Sequence, residues 1–369
     1  MWRRLQCLPK RYFSSSPWKT PEYIIVGGGS AGCVLANRLS ENHKVLLLEA
    51  GPKDTGAWDS WKIQMPAALT FNLSDDKYNW SYKTTPQKNL NNRILPWPRG
   101  RVLGGSSSLN AMVYIRGHAY DYDRWEKEGA VGWNYASVLP YFQKAQKHEL
   151  GGNEYRGGEG PLAVSRGTSH DQPLFDAFVA AGVDAGYPYT DDMNGYQQEG
   201  FGKMDSTIHA GSRWNTSSAY LSPIQHRDNL RIETNVFVHK VVFEGKRAIG
   251  VQIERNNNGN IEVENANTEV ILCGGAINSP QLLMLSGVGN KNELQKHDIP
   301  IVHELPGVGG NMQDHLDLYI QYHVTKPITL HNATWKYPHK MIKIGAEWFL
   351  NKTGKGASAH LESGGFIRR

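Results

Sequence analysis

The feature that most constrains the fold is a glycine-rich turn near the start of the chain. Residues 23–32 are YIIVGGGSAG, an apolar segment that leads directly into closely spaced glycines. This order is typical of a buried β-strand, a tight turn and a helix. Gly27 permits the bend, Gly29 the close approach of a pyrophosphate, and Gly32 the close packing of helix on strand. The pattern predicts a dinucleotide-binding turn, with phosphates at the N-terminus of a helix that begins near Ser30.

The segment that follows supports the same interpretation. Residues 44–49 form a second apolar run that ends in Glu49, 22 residues after Gly27. That spacing is close to the ~20 residues expected for a carboxylate that binds ribose hydroxyls. A carboxylate there repels a 2′-phosphate, so NADP is disfavoured while NAD and FAD stay open. The alternative is a β-α-β unit whose glycines serve only packing.

Composition sets limits on the class of protein. The chain has 369 residues, 39% hydrophobic and 20% charged, which suits a soluble α/β enzyme with more than one domain. No apolar run reaches the ~18 residues of a membrane span, so any membrane contact is expected to be peripheral. The three cysteines show no pairing pattern or metal-ligand spacing, so no metal site is predicted.

The first 20 residues differ from the rest of the chain. They contain five basic residues and no acid, a composition that predicts a mitochondrial presequence over residues 1–20. A disordered basic tail is the alternative. These five charges account for the whole formal net charge of +5. The remainder is therefore neutral, and nucleic-acid binding is not expected.

Two later glycine turns are candidates for contact with the same ligand. Residues 100–113, GRVLGGSSSLNAMV, predict a buried turn rich in hydrogen-bond donors, although a surface serine loop is the alternative. Residues 269–273 predict a buried strand, which is followed by a turn at Gly274 and Gly275. A helix is then expected to start at residues 278–280, Asn-Ser-Pro, with a capping residue followed by Pro280 in its first turn. Two such turns far apart in sequence suggest one long cofactor held between them.

The pattern of strands predicts the fold class. The apolar runs at 23–26, 44–49 and 269–273 indicate an α/β protein with a doubly wound, Rossmann-like parallel sheet. Residues 230–234, 236–243, 248–254 and 261–264 are predicted as four strands of an antiparallel meander inserted into it. A helix is expected from Gln172 to Ala185, within a smaller domain.

Together these three turn regions resemble the signatures of the glucose-methanol-choline (GMC) oxidoreductases, which are FAD enzymes. The resemblance extends from about residue 22 to the end of the chain. It implies a FAD-binding domain over 21–150 and 205–315, and an incomplete substrate domain over 151–204 and 316–369. Some segments look most like the mitochondrial family members that oxidise choline; these are 61–69, 155–157, 193–195 and 359–362.

The resemblance also implies which residues contact FAD. They would hold the pyrophosphate, the adenosine ribose, the flavin and the adenine side, in that order along the chain. The residues are Gly27, Gly29, Ser30, Ala31, Gly32, Glu49, Ala50, Val102, Gly104, Gly105, Asn110, Ala111, Met112, Val113 and Val238. Some relatives bond FAD covalently through a histidine at the position of Leu109, so noncovalent FAD is expected here.

For the substrate, the resemblance implies Trp61, His315 and Asp317. Choline is a quaternary ammonium alcohol, which needs an aromatic face and a carboxylate. Choline-oxidising members usually have a glutamate at the position of Asp317, which is one methylene shorter. The alternatives are a solvated loop acid for Asp317 and core packing for Trp61.

The implied reaction is oxidation of choline to betaine aldehyde, a step of glycine betaine biosynthesis. Hydride passes to the flavin, and electrons then pass to a respiratory acceptor such as a quinone. The general-base histidine of the family is expected beyond Arg369, so no catalytic residue is assigned in this chain. We expect a truncated form or fragment that binds FAD poorly, located in mitochondria with contact at the inner membrane as a further option.

Three other readings stay open at this level. In the first, the chain belongs to another GMC alcohol dehydrogenase, and in the second it is a catalytically silent product that at most binds FAD or partner subunits. The third is an NAD-dependent dehydrogenase, and the serine loop at residues 106–108 weighs against it.

Overall fold

The computed structural model describes residues 20–167, 172–326, 328–330, 333–334 and 336–368. The predicted presequence, apart from residue 20, lies outside these described residues. The described chain forms two compact units. The first comprises the described parts of 1–56, 76–106 and 216–318, and the second those of 57–75, 107–215 and 319–369.

The secondary structure of the described residues is as follows. The strands are β1 (Tyr23–Val26), β2 (Val45–Glu49), β3 (Tyr82–Lys83), β4 (Pro96–Trp97), β5 (Gln146–His148), β6 (Leu162–Arg166), β7 (Gly200–Lys203), β8 (Asp205–Ser206), β9 (Ile208–His209), β10 (Ser212–Arg213), β11 (Leu230–Thr234), β12 (Val236–Glu244), β13 (Arg247–Arg255), β14 (Ile261–Asn265), β15 (Glu269–Leu272), β16 (Val288–Gly289), β17 (His303–Glu304) and β18 (Ser363–Phe366). The helices are α1 (Ser30–Leu39), α2 (Trp61–Gln64), α3 (Leu69–Leu73), α4 (Ala119–Lys127), α5 (Tyr135–Ala145), α6 (Pro173–Asp184), α7 (Gly275–Leu285), α8 (Lys291–Lys296) and α9 (Pro338–Asn351).

The first unit is built on a parallel sheet of order β11-β2-β1-β15. Ile24 and Ile25 of β1 and the apolar residues of β2 are fully buried, as expected of central parallel strands. Helix α1 connects β1 to β2 and packs closely on the turn, since a Cβ on Gly32 would be 1.9 Å from the Gly27 carbonyl oxygen. The predicted α/β class with a parallel sheet is confirmed.

One predicted strand belongs to a different sheet. Residues 230–234 were expected in the antiparallel meander, but β11 pairs in parallel with β2. The antiparallel sheet contains only β12, β13 and β14. Asn235, in a left-handed conformation with φ +58°, separates β11 from β12. The alternating pattern of β11 suits either pairing, so sequence alone could not identify its partner.

The start of α7 also differs from the prediction. The helix begins at Gly275, and Pro280 is therefore its sixth residue rather than a residue of its first turn. Asn278 does not act as the cap, because its side-chain oxygen accepts a hydrogen bond from the Tyr82 hydroxyl. The Ser279 hydroxyl instead accepts a hydrogen bond from the Gly274 N–H, at 3.0 Å. The expected capping signal therefore serves contacts outside the helix.

The second unit contains the short sheets β5-β6-β8, β7-β18 and β9-β10. The helix predicted from 172 to 185 is α6, Pro173–Asp184. Trp348 of α9 lies in a buried cluster with Met65, Ala68 and Ala357. Among the described residues, no helix has both the length and the apolarity needed to cross a membrane.

The two compact units do not follow the predicted domain boundaries. Residues 57–75, 107–150 and 205–215 lie in the second unit, whereas residues 316–318 lie in the first. Compactness does not identify function, so the division into a FAD-binding and a substrate domain stays a prediction.

Candidate functional site

A cavity of about 540 Å³ lies in the first unit, next to the carboxyl ends of its central parallel strands. This is the edge where open α/β sheets bind their ligands. Its wall includes the turn after β1, the end of β2, the turn before α7 and part of β12. Elements far apart in sequence therefore form one site within this unit.

The glycine turn after β1 has a conformation that only glycine adopts easily. Gly27 has φ +103°, and a Cβ there would be 2.5 Å from the Cys273 carbonyl oxygen. This close approach joins the first turn to the strand end before α7. The first N–H groups of α1 have no partner inside the helix, and the helix dipole is positive at that end. The turn is therefore suited to bind an anionic group.

Glu49 is the buried acid of the cavity. Its side chain is 5% exposed, and its two carboxylate oxygens accept hydrogen bonds from the backbone N–H groups of Gly28 and Gly51, at 2.8 and 2.9 Å. Burial raises the pKa of Glu49 to about 7, against the opposing effects of these N–H groups and of Arg101. Each carboxylate oxygen has a further lone pair, so Glu49 retains the capacity to accept from a ligand hydroxyl.

An aromatic group that sequence analysis did not assign lines another part of the cavity. Trp80 stacks on Tyr82 with ring centroids 5.9 Å apart, and Phe237 meets Trp80 edge-on at 6.2 Å. The Tyr82 hydroxyl donates to Asn278 of α7, while burial raises the pKa of Tyr82. Two aromatic residues close together in the sequence were an available signal, but Ser81 between them has φ +53°, so the alternation of an extended strand could not have predicted their stacking.

The predicted FAD residues of the first unit fall into two groups. One group lines the cavity, and its members are Gly27, Gly29, Ser30, Ala31, Glu49, Ala50, Gly105 and Val238. The other group supports the wall without lining it. Gly32 packs inside α1, Val102 is fully buried, and the Gly104 N–H donates to the Gly28 carbonyl at 2.8 Å.

Asn110, Ala111, Met112 and Val113 belong to the second unit, where a buried arginine holds this loop. Arg213 is 1% exposed, and its Nη1 donates to the carbonyl oxygens of Ser107 and Asn110, at 3.0 and 2.8 Å. Nη1 also donates to Asn110 Oδ1, and Nε donates to the Ile63 carbonyl. Burial lowers the pKa of Arg213 to about 9. The role of Arg213 could not be predicted from the sequence, since nothing local marks an arginine as buried.

The same loop contains a strained backbone position. Met112 is fully buried and has φ +64°, which is uncommon for a residue with a side chain. Its N–H donates to Asn110 Oδ1 at 3.1 Å, and its carbonyl accepts from the Thr207 N–H at 2.7 Å. These bonds hold the loop in one conformation.

The three predicted substrate residues have different surroundings. Trp61, in the second unit, packs edge-on against Phe71 and Phe349, with centroid distances of 5.6 and 6.3 Å. These contacts are the ones expected if Trp61 serves core packing, which was the alternative to a role in the substrate site. His315 and Asp317, in the first unit, are exposed in a segment without helix or strand. In the described part of the chain, no group of three or more His, Cys, Asp or Glu residues is placed to hold a metal ion.

The fold and the cavity define the class. A parallel sheet with glycine turns at its carboxyl edge and a buried acid at the end of β2 is a dinucleotide-binding α/β architecture. The sequence profile of the GMC oxidoreductases matches residues 21–317. The chain therefore belongs to the GMC oxidoreductase family, as the sequence motifs predicted.

Two curated relatives illustrate how far the similarity extends. Mitochondrial choline dehydrogenase of Mus musculus is 61% identical over 352 residues, which are 94% of this chain and 58% of the relative. Oxygen-dependent choline dehydrogenase of Escherichia coli (strain K12) is 50% identical over 353 residues, 94% of this chain and 62% of the relative. The chain thus spans about 60% of the length of these relatives.

Solved structures agree with this assignment. A FAD-dependent oxidoreductase from Chaetomium thermophilum has a TM-score of 0.81 at 30% identity, over 93% of this chain and 61% of its own. Formate oxidase from Aspergillus oryzae RIB40 has a TM-score of 0.84 at 29% identity, over 95% of this chain and 62% of its own. The family and these neighbours support FAD as the cofactor.

Proposed function

We propose that this chain is part of a FAD-dependent oxidoreductase that acts on the CH–OH group of choline. The observation that carries the proposal is the 61% identity to a choline dehydrogenase over 94% of the chain. The cavity adds independent support from chemistry, since it combines a phosphate-binding turn with a buried carboxylate.

The residues of the cavity fit the adenosine and pyrophosphate parts of FAD. The close approach of Gly29 and Gly105 leaves no side chain where a diphosphate would meet the backbone. In the proposal the N-terminus of α1 holds the diphosphate, Glu49 accepts from the ribose, and Val238 contacts the adenine side. The flavin roles predicted for Val102, Gly104 and residues 110–113 are retained. Leu109 is buried and has no nucleophile, so FAD is held without a covalent bond.

When bound, FAD supplies a flavin that accepts a hydride from the alcohol carbon. The chain itself contributes binding and orientation. The rings of Trp80, Tyr82 and Phe237 keep water from part of the cavity wall. For the substrate, the proposal retains Trp61 as an aromatic wall for the ammonium group and Asp317, with His315 beside it, as the negative charge. No residue of this chain is assigned as the general base for the alcohol proton.

The cellular setting is part of the same proposal. The printed name of the mouse relative is mitochondrial, and we infer a mitochondrial location here as well. A respiratory acceptor such as a quinone would receive the electrons from the reduced flavin. A quinone is dissolved in a bilayer, so peripheral contact with the inner membrane is included in the proposal.

The experiment measures anaerobic reduction of the bound flavin by the alcohol. The readout is the loss of the visible absorbance of the flavin. Choline is compared with dimethylbutanol, an uncharged alcohol of similar shape. We expect Asp317→Asn to lower kcat/KM for choline up to about tenfold, which corresponds to ~1.4 kcal/mol of lost transition-state stabilisation, and to leave that for dimethylbutanol unchanged. Asp298→Asn is the matched control, because Asp298 is also an exposed loop acid of the first unit.

Other outcomes identify the alternatives. A preference for uncharged alcohols would indicate a different alcohol dehydrogenase of the family. A bound flavin that choline never bleaches would indicate a silent FAD-binding product.

A further inference from the structure

A buried cluster of three ionisable side chains lies in the sheet β5-β6-β8 of the second unit. The side chains of His148 and Asp205 are 0% and 3% exposed, and that of Arg166 is 19% exposed. Arg166 Nε lies 3.0 Å from Asp205 Oδ1, and His148 Nε2 lies 3.1 Å from Asp205 Oδ2. Each carboxylate oxygen therefore faces a nitrogen atom from another strand of the same sheet.

The protonation of this cluster follows from its contacts. His148 Nδ1 accepts a hydrogen bond from the Leu150 N–H at 3.1 Å, so in the neutral ring the proton is on Nε2, toward Asp205. Burial by itself raises the pKa of Asp205, but hydrogen bonds from His148 and Arg166 outweigh burial and bring the pKa below its usual value. Asp205 is therefore a carboxylate at neutral pH, and the loss of either partner would leave its buried charge poorly paired.

Strand β8 connects this cluster to the loop at residues 112–114. On one side β8 pairs with β6, where Asp205 lies opposite Arg166. On the other side the Asp205 carbonyl oxygen accepts a hydrogen bond from the Tyr114 N–H at 2.8 Å. The carboxylate of Asp205 thus binds the cluster while its backbone binds the loop.

Met112 of this loop depends on bonds from β8 and the residue after it, because its own backbone is strained. A φ of +64° is costly for a residue with a side chain. Thr207, two residues after Asp205, donates from its N–H and its hydroxyl to the Met112 carbonyl oxygen, at 2.7 and 3.2 Å. If β8 shifted, Met112 would lose these bonds and could relax to an ordinary conformation.

The buried charge of Asp205 fixes geometry more than it adds stability. Removing water from a carboxylate and a guanidinium offsets most of their attraction, so a buried ion pair is a poor substitute for apolar packing. Because both oxygens of Asp205 are held, however, β8 is restricted to one position against β6. The same position sets the hydrogen bonds that β8 and Thr207 make with residues 112–114.

We propose that Asp205 is a positioning residue for the flavin part of FAD, and that it acts through β8 on residues 112–114. His148 and Arg166 hold its carboxylate, and β8 with Thr207 holds Met112 in its strained conformation. This role rests on the proposed function, in which residues 110–113 contact the flavin. In that function the turn after β1 and Glu49 hold the ADP part of the cofactor.

The test compares the Kd of FAD with that of ADP, each titrated into the FAD-free chain by calorimetry. ADP has the part of FAD that is assigned to the first unit, and it lacks the flavin. We expect Asp205→Asn to raise the Kd of FAD at least about tenfold and to change that of ADP less than about twofold. A general loss of structure would raise both. Asp75→Asn is the matched control, since Asp75 is paired with Lys62 at 2.7 Å in the same unit, and it is expected to leave both Kd values unchanged.

Two variants of His148 test the same role with the Asp205 carboxylate intact. His148→Gln keeps an N–H donor that can reach Asp205, whereas His148→Leu removes it. Both variants lose the acceptor for the Leu150 N–H, so the difference between them isolates the contact with Asp205. We expect the Kd of FAD to rise about fivefold in His148→Leu and less than about twofold in His148→Gln.

Several results would overturn the positioning role alone. They are an unchanged Kd of FAD in Asp205→Asn, equal rises for FAD and ADP, an equal effect of Asp75→Asn, or equal Kd values in the two His148 variants. In each case the unmodified chain still binds FAD, so the proposed function stands. An unmodified chain that binds neither FAD nor ADP would refute the proposed FAD site and the role of Asp205 with it. The His148 pair decides the question if Asp205→Asn does not fold.

Discussion

Gly105 lies directly against Gly29, so that a Cβ added to Gly105 would be 2.7 Å from the Gly29 Cα atom. The neighbouring Gly104 N–H donates to the Gly28 carbonyl at 2.8 Å. Two glycine turns, 76 positions apart in the sequence, therefore form one wall of the cavity. Any side chain at this contact would move the turn that is proposed to bind the diphosphate.

This contact predicts the effect of Gly105→Ala. The new methyl group meets backbone that has no side chain to move aside, and Gly105 has φ +54°. We expect the free energy of unfolding to fall by about 2 to 4 kcal/mol from strain and overpacking together. The flavin content after purification is expected to fall at least about tenfold, which its visible absorbance would measure.

Gly245→Ala separates the two causes in that experiment. Gly245 has φ +59° but nothing within 4 Å of an added Cβ. Its cost is therefore the backbone strain alone, ~1 kcal/mol, with flavin content unchanged. If Gly105→Ala and Gly245→Ala lowered the free energy of unfolding and the flavin content equally, the contact with Gly29 would be unimportant.

Glu49 predicts a specific pH dependence. Its pKa in the folded chain is about 7, above its usual 4.5, so the folded state holds the proton more tightly than the unfolded state. The contribution of Glu49 to the free energy of unfolding therefore falls as the pH rises from about 4.5 to about 7, and it is constant above that range. Urea unfolding of the FAD-free chain and of Glu49→Gln would measure this as a difference. A difference that does not change across the interval would contradict the prediction.

Arg213 is expected to be essential for stability. Arg213→Met leaves the carbonyls of Ile63, Ser107 and Asn110 without their donors. We expect the free energy of unfolding to fall by about 3 to 5 kcal/mol, because buried acceptors lose their partners. Arg124→Met is the control, since the Arg124 side chain is 61% exposed and its loss should change stability by no more than ~0.5 kcal/mol. Chemical denaturation of both variants measures the free energy of unfolding. Similar small decreases in the two variants would refute the stabilising role of Arg213.

The hydrogen bond between Tyr82 and Asn278 is expected to contribute to FAD binding. Tyr82→Phe keeps the ring that stacks on Trp80 and removes only the hydroxyl. One such bond is worth ~1 kcal/mol, so the FAD Kd should rise about fivefold. Titration of the FAD-free chain, followed by flavin fluorescence, measures the change. Tyr120→Phe, at an exposed position, should leave the Kd unaltered, and a Kd equal to that of the unmodified chain in both variants would show that the bond makes no contribution.

Much of the first unit could be predicted because its signals are local. The run of apolar residues before Gly27 requires a buried strand, and the glycines after it permit the turn and the close packing of α1. Glu49 follows the second buried strand and lies in the cavity wall. Each of these inferences needs only residues within about 25 positions of one another.

The failures all involve partners distant in sequence. The alternation of residues 230–234 is the same whether the strand pairs in parallel with β2 or antiparallel with β12. Asn278 has the residue type of a helix cap, but Tyr82, 196 positions away, takes its side-chain oxygen. Arg213 has the composition of a surface residue, and only packing places it among the carbonyls of Ile63, Ser107 and Asn110.

By itself, the sequence determined the family, the parallel sheet and the glycine turn beside Glu49, because backbone geometry and apolar patterning specify these over short stretches. The tertiary structure alone decided which distant side chains complete the wall and which carbonyls surround Arg213. Those outcomes depend on how buried polar groups find partners across the fold, and no short segment contains that information.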